Sequence, residues 1–378
     1  MRAWESPFLK KIHMDAGNLC RLLWLLLLVV SGPSLADERD RRHGAVLDGI
    51  TGFHVESAAT LTFQHATRAP DRNEASISFD LVQTLPMGRG LWTLYVEGST
   101  TPRAAGVTAT FPAANADVGT TPDHRGRGRL QVSELHYGME TSDWQIVTGL
   151  IDVTAHLDLS EVANNETTQF LATPLVNNPT IAFPDYVPGL AWHRHARKHK
   201  PGIALVLAGS HGLADNAGHY ARTFHLNAHG KGFFLAAELY GRRQTNVWRT
   251  GLWMRTDALV RRDGSGNGHA RGIYGVFDAM PGEHLRSNLR LGITLDDVSK
   301  ARDFASAAIL RESGALALGA GLALTRLHGS KDERLVEIFA RYRVNKALQL
   351  GPHIQWVGQP ESQGPDGWIT GLRVRLTL

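Results

Sequence analysis

The chain has 378 residues, 43% of them apolar, with 39 glycines and a single cysteine, enough for one large domain or two ordinary ones. Residues 1–36 hold four of its 40 basic and two of its 36 acidic side chains, so the remainder carries 36 against 34, close to +2. That near balance argues against nucleic acid or another polyanion as partner, and a chain with no cysteine beyond Cys20 has no disulfide framework.

In chain order, the first feature is the apolar run Leu22–Val30, preceded by Lys10, Lys11 and Arg21 and followed by Pro33-Ser34-Leu35-Ala36. Basic flank, short apolar core and small residues at the cut make 1–36 a secretory signal peptide, with Asp37 as the first mature residue. The run is too short to span a bilayer as a helix, and Cys20 precedes the apolar core, out of place for lipid attachment.

Beyond it, no segment has the length or continuity of a membrane helix, and a two-residue alternation takes over. Trp92, Leu94 and Val96 oppose Thr93, Tyr95 and Glu97; Phe233, Leu235, Ala237 and Leu239 oppose Ala236, Glu238 and Tyr240; Leu289, Leu291, Ile293 and Leu295 oppose Asn288, Arg290, Gly292 and Thr294. Val336, Ile338, Ala340, Tyr342 and Val344 oppose Glu337, Arg341 and Arg343, with Phe339 out of pattern, and Trp368, Leu372, Val374, Leu376 and Leu378 oppose Arg373, Arg375 and Thr377. This period belongs to strands with one apolar and one polar face. Sixteen such segments are predicted, at 52–66, 74–85, 90–99, 129–138, 142–149, 202–210, 219–228, 231–241, 247–258, 269–279, 285–295, 303–313, 315–325, 334–344, 347–357 and 367–377. Residues 303–325, rich in Ala, Gly and Leu, also fit a helix. The fold class is all-β: an antiparallel transmembrane barrel over 37–378, with lipid outside and water inside. A soluble sandwich alternates too, but the charged polar face and the aromatic residues Trp92, Trp248 and Trp368 near strand ends favour the barrel.

Two stretches, 100–128 and 150–201, are long and lack clean alternation. The second reads Gly149-Leu150-Ile151-Asp152, then Ser160-Glu161-Val162-Ala163-Asn164-Asn165-Glu166-Thr167-Thr168-Gln169-Phe170-Leu171, then Leu175-Val176-Asn177-Asn178-Pro179-Thr180-Ile181-Ala182-Phe183-Pro184. It resembles the OprB-type carbohydrate-selective porins, where a Gly-hydrophobic-Asp strand end leads into Gln-Phe and Asn-Asn-Pro segments. Gly272-Ile273-Tyr274 with Asp278, and Glu337, Tyr342 and Val344 followed by Leu348, Leu350, Pro352, Gln355 and Pro360, are similar to other strands of that family. The resemblance implies an outer-membrane porin, not an enzyme, passing sugars and small hydrophilic solutes without a cofactor. It allows a homo-oligomer in contact with outer-membrane lipid.

A barrel of this width holds an aqueous channel whose narrowest lining decides passage. Alternation places Glu238, Arg249, Trp253, Arg255, Glu337, Arg341, Arg343, Arg373 and Arg375 inward as pore-lining candidates. Guanidinium forks donate to ring hydroxyls, carboxylates accept from them, and an aromatic face lies against a pyranose. These charges also neutralise one another across a solvated interior, the plainer role. Segment 150–201 is the candidate constriction loop, with a simple surface cap as its alternative. Trp192-His193-Arg194-His195 with His199 has metal-like spacing, but Arg197, Lys198 and Lys200 would repel a cation. Ser210 and His211, as strand neighbours, point to opposite faces, which argues against a nucleophile-base pair. No catalytic or metal residue is assigned. The remaining alternatives are a non-selective diffusion or structural barrel and an outer-membrane hydrolase.

Overall fold

The structure, a computed structural model, describes residues 52–118, 127–197, 200–213, 220–226, 231–329, 331–358 and 364–378; the expected leader 1–36, Lys198, His199 and Pro360 lie outside the described residues. The compact unit Asp37–Thr377 contains every described strand. In chain order these are β1 (His54–Ala66), β2 (Asn73–Met87), β3 (Gly90–Ser99), β4 (Leu130–Glu140), β5 (Trp144–Ile151), β6 (Val187–Arg194), β7 (Gly202–Gly209), β8 (Phe233–Arg243) and β9 (Asn246–Arg255). There follow β10 (Leu259–Val260) and β11 (Asn267–Gly268), a small separate ladder, then β12 (Arg271–Gly282), β13 (Leu285–Thr294), β14 (Ala301–Ser313), β15 (Leu316–Leu327), β16 (Glu333–Arg343), β17 (Leu348–Gly358) and β18 (Gly367–Thr377).

Leaving out β10 and β11, sixteen strands form a closed antiparallel meander, each paired with its sequence neighbours, and β1 closes on β18 from Ala58↔Thr377 to Ala66↔Ile369. Closure leaves no unpaired edge, which is what a sheet needs in hydrocarbon, where water cannot satisfy backbone groups. No described helix is long and apolar enough to cross a membrane.

The two faces are inverted relative to a water-soluble protein. Leu289, Ala307, Leu322, Val336, Trp356 and Trp368 stand side by side across β13–β18 as one outward row. One residue along each strand, Asn288, Ala308, Gly321, Glu337, Gln355 and Ile369 form the matching inward row. In the outward row Leu289 and Leu322 are 45% and 55% exposed, whereas inward Glu337 and Gln355 are fully buried. A period-2 sequence separates the faces in this way because successive Cβ atoms leave the sheet on opposite sides.

The connections differ at the two ends. Those at 88–89, 244–245, 283–284 and 314–315 are two residues long, with Gly88 (φ 66°) and Gly314 (φ 58°) supplying left-handed backbone. At the opposite end lie 100–129, 152–186, 210–232 and 256–270. In outer-membrane barrels the short turns are periplasmic and the long loops extracellular.

The strand count of sixteen holds, but one strand is reassigned. The described residues of segment 219–228 hold no strand: Tyr220–Phe224 is a short helix, while 219, 227 and 228 are outside the described residues. The missing strand is β6, inside the stretch read as loop. Its inward positions Gly189 and Ala191 are small and Pro188 interrupts its outward side, so only Leu190 and Trp192 carried alternation there. Residues 303–325 are the β14–β15 hairpin rather than a helix.

Candidate pore constriction

Residues 152–186 leave β5, pass through the barrel interior and return as β6. Their apolar side chains are almost fully enclosed: Val153, Val162, Phe170, Leu171, Ala172 and Leu175 are at 0% exposure. An inserted segment must also satisfy its backbone, and here the wall does so with inward-facing charges. Arg290 on β13, itself at 0% exposure, donates Nη1 to the carbonyls of Leu175 (3.2 Å) and Val176 (3.1 Å) and Nη2 to those of Asp158 (2.9 Å) and Ala163 (3.1 Å). Its Nε lies 3.2 Å from the Asp158 carboxylate.

The acids work in the complementary sense. Glu337 on β16 accepts from the backbone N–H groups of Leu171 (2.9 Å) and Ala172 (2.8 Å), Glu238 on β8 from that of Asp158 (2.9 Å), and Asp278 on β12 from that of Glu161 (2.9 Å) and the hydroxyl of Ser160 (2.8 Å). Arg373 on β18 donates to the carbonyls of Glu166 (2.7 Å) and Gln169 (2.6 Å), and Arg341 to that of Thr168. Charge-assisted bonds of this kind are the stronger class of hydrogen bond. Asp158, held between Glu238 and Arg290, adopts φ 58°, a conformation that aspartate tolerates better than most residues.

The segment's polar sequence builds its turns. Asn165 Oδ1 accepts from the backbone N–H of Thr167 (3.0 Å) and Thr168 (2.8 Å); Gln169 Oε1 accepts from Asn164 N–H (2.8 Å); Asn178 accepts from Thr180 N–H (3.0 Å) and donates to the Leu291 carbonyl (3.0 Å). The Asn-Asn, Gln-Phe and Asn-Asn-Pro runs are therefore fold-forming. Phe339, the exception to alternation, meets Phe170 edge-on at 5.1 Å and lies under the Arg373 guanidinium at 5.5 Å. A phenylalanine faces the lumen because the inserted segment provides it with an apolar partner.

A second insertion, 103–118, lies along β1 and β2. Glu74 accepts from the N–H groups of Arg103 (2.9 Å) and Thr108 (2.7 Å), Gln355 donates to the Ala114 carbonyl (2.9 Å), and Ala116 N–H donates to Leu171 O (2.9 Å), joining the two insertions. Asp117 accepts from Ser78 (2.7 Å), and burial, reinforced by Asp80, pushes its carboxyl up to about 7. An unfolded aspartate ionises near 3.8, so the folded state holds the extra proton between those values. Stability contributed at this site is full below about pH 4 and falls as pH rises to about 7. Hydrogen exchange of the Ala114–Val118 amides should accelerate from pH 5 to pH 8 beyond the intrinsic rate change, and Asp117→Asn should abolish the excess.

The nine sequence candidates divide. Glu238, Glu337, Arg341 and Arg373 bind the 152–186 segment directly. Arg249 pairs with Glu238 (2.8 Å) and lies over Tyr240 (5.2 Å); Arg255 pairs with Asp257 (2.8 Å); Arg375 approaches Asp80 (3.7 Å) and Thr60 (3.4 Å). Trp253 points inward but is 1% exposed, stacked on Phe234 at 6.2 Å, so its faces are covered by protein. Arg343 is exposed at the short-turn end. The segment turns Glu161, Asn164, Asn165, Glu166 and Thr168, all half-buried, towards its less enclosed side.

Sequence reasoning missed Arg290, Asp278 and Glu74, and also two wall glycines. A Cβ on Gly292 would lie 1.9 Å from Thr180 Oγ1, and one on Gly321 2.9 Å from both Phe170 Cε1 and Leu175 Cδ1. Glycine inside a strand signals such close approach, and Gly292 and Gly321 both occupy inward positions.

His156 and His193 approach at 3.1 Å, and His195 lies 3.3 Å from Glu140. Among the described residues no group of three or more His, Cys, Asp or Glu could hold a metal ion. The expectation for Ser210 and His211 is corrected: they lie beyond the end of β7, so strand parity does not apply, and Ser210 Oγ is 2.9 Å from His211 Nδ1. Ser210 is 1% exposed and accepts from Gly232 N–H (3.0 Å), which gives its hydroxyl a structural partner.

The description "Carbohydrate-selective porin, OprB family" matches residues 235–378. In fold the chain is similar to OprB of Pseudomonas putida, with a TM-score of 0.68 at 10% identity over 86% of this chain and 94% of that one. It is similar also to a loop-deletion mutant of the Vibrio cholerae outer membrane protein OmpT, with a TM-score of 0.54 at 10% identity over 87% of this chain and 100% of that one. At that identity the likenesses concern the fold. An uncharacterized protein of Aquifex aeolicus is 38% identical over 80 residues, 21% of this chain, so the chain spans about a quarter (26%) of the length of the curated relative it matches.

Proposed function

Because residues 235–378 carry the sequence of the OprB family of carbohydrate-selective porins and the sixteen strands close a porin barrel, we propose that the chain is an outer-membrane channel for passive diffusion of carbohydrates and other small hydrophilic solutes. Fold and family point to a channel rather than an enzyme. The observation that carries the reading is the 152–186 segment, pinned inside the barrel by Arg290, Glu337 and Arg373. A barrel narrowed from within passes solutes according to what lines the remaining gap.

Glu161, Asn164, Asn165 and Glu166 on the segment, with the half-buried Arg249 and Arg255 on the wall, supply the donors and acceptors of that gap. Sugar hydroxyls exchange water for such partners at little net free energy, so occupancy stays brief and conduction continues. Export by the leader 1–36, with Asp37 at the mature N-terminus, belongs to the same proposal.

Single-channel conductance of the refolded barrel should fall in steps as sugar is added, with half-block at millimolar concentrations or above, about 4 kcal/mol of binding or less. Conductance insensitive to every sugar tested would leave a non-selective pore.

A further inference from the structure

The lipid-facing wall is not uniformly apolar. Arg302 on β14, Arg326 on β15 and Arg334 on β16 all point outward at the long-loop end, each exposed. Outward positions at that end of β7–β9 are Leu207, Phe233 and Met254. Against those strands the cations stand on β14–β16, with the exposed Arg271 of β12, opposite Met254, at the margin of the same sector. Two aspartates are shared among them: Asp303 lies 2.8 Å from Arg302 and 3.9 Å from Arg326, and Asp332 lies 3.8 Å from Arg326. Arg334 makes no ion pair among the described residues, which leaves a positive excess.

Directly below, β14 presents Ala305 and Ala307 where its neighbours present leucines: Leu291 and Leu324 flank Ala305, and Leu289 and Leu322 flank Ala307. Two alanines in succession between leucine rails make a shallow trough running from the arginines into the apolar belt. Of the alanines in 303–325, Ala308, Ala317 and Ala323 are buried in the cluster with Phe170 and Leu175, whereas Ala305 and Ala307 belong to the outward face.

We propose that this sector of β13–β16 docks a phosphorylated, multi-acyl lipid of the outer leaflet, its phosphate bridging Arg302, Arg326 and Arg334 and one acyl chain lying over Ala305 and Ala307. The inference rests on the barrel spanning the outer membrane with its long loops outside. Guanidinium forks bind phosphate oxygens in pairs and are weakly hydrated, which suits them to the interface between headgroups and hydrocarbon. Asp303 orients the Arg302 guanidinium, and Asp303 and Asp332 flank that of Arg326.

The test measures lipid retained per barrel by native mass spectrometry after exchange into mild detergent, offering bis-phosphorylated lipid A or the same lipid with its phosphates removed. The phosphorylated lipid should be retained at least tenfold better. Combined Arg302→Gln, Arg326→Gln and Arg334→Gln should remove that preference, and Ala307→Leu should weaken retention of both lipids. Equal retention of the two lipids, or undiminished preference in the triple variant, would overturn the proposal. So would displacement of the lipid by millimolar inorganic phosphate, which would make the row a small-anion site. The triple variant should keep wild-type single-channel conductance and sugar block, so loss of lipid without loss of the channel separates this inference from the porin reading.

Discussion

Replacing Arg290 with methionine is expected to release the inserted segment while leaving the barrel closed. Methionine restores much of the volume but none of the donors, so the carbonyls of Asp158, Ala163, Leu175 and Val176 lose a partner together. The Asp158 carboxylate then lies buried beside Glu238 without its counter-charge. Removing one partner of a buried ion pair costs ~3–5 kcal/mol, a large fraction of the ~5–15 kcal/mol by which whole domains are stable. The strand hydrogen bonds are untouched, so the loss falls on the segment. Single-channel conductance should rise and sugar block should diminish, while the folded barrel keeps its gel mobility before boiling. Arg290→Lys, which retains charge but not the planar fork, should fall between. Unchanged conductance in the methionine variant would mean that 152–186 does not narrow the path.

Phe170→Ala should loosen the same segment at its other end through packing. The ring is fully buried against Phe339, beneath Gly321, with no room for a larger wall residue to fill the space. Truncating a buried phenylalanine costs ~3–5 kcal/mol because the surroundings collapse only partly. Hydrogen exchange should speed up at Leu171 and Ala172, whose N–H groups bond Glu337. Phe339→Leu combined with Phe170→Ala should cost less than the sum of the single changes, as contacting residues do. Additive costs would show that the two rings do not depend on each other.

Local pattern made the barrel wall legible. Strand parity depends on neighbours two residues apart, so Leu289, Leu291 and Ile293 declare an outward face without reference to the rest of the chain. The same reasoning failed at β6, where Pro188, Gly189 and Ala191 weaken the alternation, and at Tyr220–Phe224, where Tyr220, Phe224 and Leu226 imitate it around a short helix. Parity also turned Glu238, Arg341 and Arg373 inward correctly. It could not say that they meet backbone rather than water, because their partners lie 80, 173 and more than 200 residues away. Arg290 had the parity of a lining residue and, in sequence, nothing to distinguish it from one.

The bond between Ala116 and Leu171 and the reach of Arg373 to Gln169 also carry a consequence for assembly. Contacts separated by this much chain pay their loop-closure entropy late, after local hairpins have formed. The segment's anchors come from β8, β12, β13, β16 and β18, so its fastening is complete only when the final strand is in register beside the first. The segment therefore keeps free ends at Glu166 and Gln169 until β18 is in place, and a chain stopped short of β18 would leave the interior less firmly narrowed.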